Sequence, residues 1–140
     1  MTTVTVRSQQ HYQQVIIAGS HFLYVDEPEE VGGRDTAPNP YELLLGALGA
    51  CTSITLEMYA RRKGWPLDGV EVVLDHTKDY AKDCENCEEN DARLDRIQIN
   101  VKLKGDLSDE QRERLVYIAS RCPVNQTLSA GLNITHAEQR

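Results

Sequence analysis

The segment from Asn39 to Gly64 limits the possible folds more than any other part of the sequence. Asn39 stands at a helix cap, Pro40 at the first helical position, and Glu42 three residues after the cap, an asparagine version of a capping box. Leu43, Leu44, Ala47, Leu48, Cys51, Ile54, Thr55 and Met58 then recur at helical spacing, while Leu45, Ala50 and Leu56 fill positions off that stripe. The first three turns are apolar nearly all round, which predicts a central, buried helix. Arg61-Arg62-Lys63 complements the negative end of its dipole, and Gly64 followed by Pro66 stops it.

Strands are predicted on both sides of this helix. Val4-Thr5-Val6, Val15-Ile16-Ile17 and Phe22-Leu23-Tyr24-Val25 are β-branched or aromatic runs for which an antiparallel meander is the simplest arrangement. A polar loop from Asp26 to Asn39 follows. Beyond the helix, Val70 to Leu74 and the alternating Ile97, Ile99, Val101 and Leu103 predict two paired strands. The connection from Asp79 to Asp91 carries six acids and one base, so it is expected to be an exposed acidic tip. Ser108 with Gln111 caps a second helix running to about Arg121, Pro123 breaks it, a short helix follows to Ala130, and Leu132 to Thr135 alternates as a last strand.

With 140 residues the chain is expected to form a single domain, residues 1–140, and with one Phe and one Trp its core must rest on aliphatic residues. A net charge of −7 supplies no attraction for a phosphate backbone or an anionic bilayer, so neither nucleic acid nor membrane is an expected partner. No apolar run approaches the ~20 residues of a membrane span, and the polar start lacks a secretory signal, so the expected compartment is the cytoplasm. Thiols stay reduced there. Cys51, Cys84, Cys87 and Cys122 therefore read as reactive, ligating or buried thiols, not as a disulfide framework.

Each cysteine has an ordinary reading beside a chemical one. Cys51 lies three turns into the apolar helix, where a cysteine packs as a small hydrophobe. A reactive thiolate there needs a cation, because the helix dipole fades within the first turn. Arg34 in the preceding loop is the nearest in sequence, with Arg7 or a histidine as rivals. Cys122, just before Pro123, is placed to cap the short helix with its sulfur near backbone N–H groups. Cys84-Glu-Asn-Cys87 is a lone CxxC among acids, with no second pair and no histidine at ligand spacing, which favours a structural or incidental role.

Two stretches resemble the two cysteine motifs of the OsmC/Ohr family of thiol-dependent peroxide reductases. They are Asn39-Pro40-Tyr41-Glu42 running to Cys51-Thr52, and Arg121-Cys122-Pro123-Val124 seventy-one residues after the first cysteine. The resemblance implies an α+β fold in which antiparallel sheets from two intertwined chains wrap long central helices, with active sites at a homodimer interface. It implies that Cys51 is the peroxidatic cysteine and Cys122 the resolving one. A hydroperoxide, preferably organic, is the implied substrate, and an external thiol or dithiol the reductant. No metal or organic cofactor is needed. The family activates its thiolate with an arginine held by a glutamate, which points to Arg34 and Glu42. The family's acid directly follows the proline, where this chain has Tyr41; Glu42 matches the second acid of members that carry two. Two other readings accompany the enzyme: an OsmC-like small-molecule binding or stress-interaction protein without peroxidase activity, and a redox or metal sensor using Cys84 and Cys87.

Overall fold

A computed structural model of the chain describes residues 1–80 and 93–140. It forms two compact units, Met1–Gly46 and Ala47–Arg140, with the boundary inside the long helix. The acidic tip and the Cys84/Cys87 pair lie outside the described residues.

The first unit is built on an antiparallel meander of β1 (Thr5–Ser8), β2 (Gln14–Ala18) and β3 (His21–Val25), in the order β1-β2-β3. Val6 faces Ile16 and Ile17 faces Phe22 across the ladders. Such cross-strand pairs of β-branched and aromatic residues are the stabilising unit of a small sheet. After β3 the chain enters the polar loop, with a single 3-10 turn at Glu29–Val31 ended by Gly32 in the left-handed region, φ 98°.

Helix α1 (Pro40–Lys63) starts and stops where its capping residues require. Asn39 Oδ1 accepts the Glu42 N–H at 2.9 Å, Glu42 Oε1 accepts the Asn39 N–H at 3.2 Å, and Gly64 takes φ 70° beyond the last turn. The expectation of burial all round is corrected. One stripe is buried in the single chain, through Leu48, Thr52, Leu56, Tyr59 and Ala60, while Leu44, Ile54 and Met58 are exposed. Contrary to the expectation that no apolar run approaches a membrane span, α1 is long and apolar enough to cross a bilayer by length and composition, a test that the core helix of a soluble protein passes equally.

In the second unit β4 (Gly69–Tyr80) and β5 (Arg93–Lys104) pair antiparallel. Val70 opposes Leu103, Val72 opposes Val101 and Leu74 opposes Ile99, so one face of the ribbon is aliphatic. That face meets α1 where Gly49 leaves room: a Cβ there would come within 2.7 Å of Leu74 Cδ1. Helix α2 (Asp109–Ala119) carries the expected capping box between Ser108 and Gln111. Its Leu115 and Ala119 complete a core with Leu56, Tyr59, Ala60 and Leu107. The Arg114 guanidinium donates to the Tyr59 hydroxyl at 3.0 Å, holding that phenol below its usual range and tying α2 to α1. Helix α3 (Pro123–Ala130) ends the regular structure. Residues 131–140 form no strand, contrary to the alternation of Leu132 to Thr135, and Leu132 and Ile134 are exposed. Alternation makes a strand only where a ladder partner satisfies its backbone.

Candidate active site

Thr52 has the deepest polar side chain of α1. Placed four residues after Leu48 and four before Leu56 on the buried stripe, its hydroxyl is removed from water and must find partners within the protein. Oγ1 lies 2.9 Å from the Leu48 carbonyl oxygen, to which it donates, and 3.6 Å from Cys122 Sγ. No buried side-chain N or O atom among the described residues is left without a partner.

Cys122 reaches this point because two helices meet there. α2 ends at Ala119, the Cys122 N–H returns to the Ala119 carbonyl, and Pro123 opens α3 with Cys122 as its N-cap. The cap position is as the sequence predicts, but the sulfur is not where a capping thiol would be. It makes no bond to the α3 amides; it is fully buried and turned to Thr52. Cys51, one residue before Thr52, is half-buried, and both cysteines are free thiols. Adjacent helical residues project about 100° apart, so Cys51 sits on the flank of the stripe on which Cys122 docks.

A cleft of about 530 Å³, lined by neither Cys51 nor Cys122, lies in the second unit, and the sequence did not disclose it. Leu48, Ile97, Ile99, Val101, Val116, Ala119 and Leu128 give it an apolar lining, and Asp95, Gln98, Ser120, Asn125 and Ser129 a polar one. Its residues come from α1, β5, α2 and α3, so only the tertiary fold collects them. The one sequence signal was the inward alternation of β5.

The other two predicted residues belong to the first unit. Glu42 is exposed and serves the capping box of α1. Arg34 is an exposed residue in the loop that Asp26 organises. The Asp26 carboxylate is buried and accepts the Glu27 N–H at 2.8 Å, the Thr36 N–H at 3.1 Å and the Thr36 hydroxyl at 2.6 Å. These donors, the Thr36 hydroxyl first and the Arg34 backbone among them, lower its pKa from 3.8 to about 2. Asp35 is held at φ 52°, and a Cβ on Gly33 would strike the Glu27 backbone carbonyl. Arg34 therefore leaves the chain from a loop with a fixed backbone.

A family model described as OsmC-like protein matches residues 33–137. Among solved structures, a candidate osmotic stress induced and detoxification response protein from Psychrobacter arcticus 273-4 is similar, with a TM-score of 0.72 and 21% identity, over 90% of this chain and 87% of that one. An organic hydroperoxide resistance protein OsmC from Legionella pneumophila, also called a predicted redox protein and regulator of sulfide bond formation, has a TM-score of 0.65 and 20% identity over 90% and 87% of the chains. An organic hydroperoxide resistance protein from Elizabethkingia anophelis has a TM-score of 0.66 and 17% identity over 90% and 86%. No curated protein matches this chain.

Proposed function

Because the chain belongs to the OsmC-like protein family, we propose that it is a thiol-dependent peroxidase that reduces organic hydroperoxides through Cys51 and Cys122. The observation that carries this reading is the contact of Cys122 Sγ with Thr52, the residue that follows Cys51. Cys122 thus packs on the residue next to Cys51, in a chain similar to proteins named for hydroperoxide resistance.

In the proposed cycle the Cys51 thiolate attacks the O–O bond. One oxygen is transferred to sulfur as a sulfenic acid, and the other leaves as the alcohol after taking a proton. Cys122 then condenses with the sulfenic acid, releasing water and leaving a disulfide for an external thiol or dithiol to reduce. Neither step requires a metal or an organic cofactor. Arg34 is assigned as the cation that favours the thiolate, and Glu42, through the carboxylate oxygen not used on Asn39, as the acid that orients it. The aliphatic part of the cleft lining, Leu48, Ile97, Ile99, Val101, Val116 and Leu128, would favour substrates with a hydrocarbon tail, since burying such a tail contributes roughly 25 cal/mol per Å². A homodimer is proposed to cover Leu44, Ile54 and Met58, large apolar side chains that α1 exposes in the single chain. The cytoplasm is the proposed compartment.

The test is peroxide consumption with a dithiol reductant. Cumene hydroperoxide is expected to be consumed faster than hydrogen peroxide, and Cys51→Ser to abolish turnover. One observation favours a second reading, an OsmC-like binding protein without peroxidase activity: Glu42 is engaged in the helix cap and Tyr41 stands where the family has its acid. Reduced wild-type protein that leaves cumene hydroperoxide untouched would establish that second reading.

A further inference from the structure

We propose that Thr52 is a positioning residue for the resolving step: its hydroxyl oxygen accepts the Cys122 S–H and holds that sulfur beside the turn that carries Cys51. The proposal rests on the peroxidase reading above. It follows from counting protons. A threonine hydroxyl has one hydrogen and two lone pairs. Thr52 Oγ1 is 2.9 Å from the Leu48 carbonyl oxygen, an atom that only accepts, so the hydroxyl hydrogen is committed there. The 3.6 Å contact to Cys122 Sγ must then run in the other direction, with the thiol as donor. Both side chains are fully buried, so water does not compete for either bond.

The sulfur is held from two sides. Its backbone is fixed as the N-cap of α3, where Pro123 sets the following φ and the Gln126 N–H donates to the Cys122 carbonyl at 3.1 Å. Its side chain is fixed by Thr52, whose own rotamer is restricted by β-branching and by the bond to Leu48. With the S–H directed at Thr52, the sulfur lone pairs are directed elsewhere; Thr52 fixes the position of the sulfur and takes no proton from it, the thiol proton passing to the departing hydroxide. When Cys122 meets the Cys51 sulfenic acid, the S–S bond forms and the S–O bond breaks. The Cys122 sulfur is oxidised, the Cys51 sulfur is reduced, and the departing hydroxide leaves as water with the thiol proton. Thr52 acts through Cys122 and touches no substrate in this scheme.

Thr52→Val removes the hydroxyl and keeps the shape, whereas Thr52→Ser keeps the hydroxyl. In a single turnover with cumene hydroperoxide, Thr52→Val should oxidise Cys51 at the wild-type rate, with dimedone trapping the sulfenic acid. Disulfide formation should slow about tenfold, the effect of one lost hydrogen bond in a transition state. Sulfenic and then sulfinic acid should accumulate, and Thr52→Ser should restore most of the rate. Wild-type disulfide formation in Thr52→Val overturns the proposal, and so does equal slowing of both steps. A second measurement needs neither turnover nor a folded valine variant. In Cys51→Ser/Cys84→Ser/Cys87→Ser protein the Raman S–H band of Cys122 should lie at the lowered frequency of a donating thiol. A band at the frequency of an unbonded thiol refutes the assignment. Wild-type protein that hydroperoxide does not oxidise at Cys51 defeats the peroxidase reading instead, and the Raman result still decides the role of Thr52 as acceptor.

Discussion

At the scale of single residues, the cysteines were legible and their partners were not. Cys51 and Cys122 stand out because a thiol on an apolar helix and a second before a helix-opening proline are unusual in combination. Thr52 offers no such signal, since its position on the buried stripe matters only once Cys122 arrives opposite it. Asp26 is hidden in the same way. In sequence it is one acid among Glu27, Glu29, Glu30 and Asp35, and only the folded loop turns backbone and hydroxyl donors toward it. Its lowered pKa has a directional consequence. The native state favours the charged carboxylate, so the stabilisation is complete above the ordinary value of 3.8 and is lost as pH falls through about 2. Asp26→Asn should lower the melting temperature near neutral pH and narrow the gap between melting temperatures near neutrality and at pH about 2. Calorimetry at the two pH values checks it, and an unchanged gap would show that the loop does not depend on this charge.

At the scale of elements, local signals were strong enough to place helices and strands but not to say which faces are covered. The Asn39 and Ser108 capping boxes form as the sequence predicts because both partners lie within one turn. The β4–β5 ladder follows from its alternation. The final alternation of Leu132 to Thr135 does not become a strand, since the sequence pattern contains no information about a pairing partner. The buried stripe of α1 is equally tertiary. Leu56, with no exposed surface, is packed with Leu115, Tyr59 and Leu107. Leu56→Ala is expected to destabilise the protein by about 2–5 kcal/mol, from the lost transfer energy and the cavity left behind. Urea unfolding measures this, and a loss below about 0.5 kcal/mol would mean that the core is not centred there.

At the scale of the whole molecule, the α+β class and the antiparallel pairings follow from the sequence, and the family match over residues 33–137 agrees with them. The net charge of −7 supplies no overall attraction for a polyanion. The apolar residues that α1 exposes concern more than one chain. Met58, at 67% exposure, is far outside the usual range for a large apolar side chain on a covered helix. Met58→Glu should shift the proposed homodimer toward monomer in light scattering, with the far-ultraviolet circular dichroism of the single chain retained. A wild-type protein that is already monomeric would contradict the proposed assembly.

The central proposal is that Cys51 and Cys122, whose sulfur packs on the neighbouring Thr52, form a redox pair. Peptide mapping of reduced protein after one equivalent of cumene hydroperoxide tests it most directly. A covalent Cys51–Cys122 peptide formed in near-stoichiometric yield is the predicted product, absent from Cys51→Ser and replaced by a trappable sulfenic acid in Cys122→Ser. Recovery of both cysteines as unmodified thiols would contradict the account.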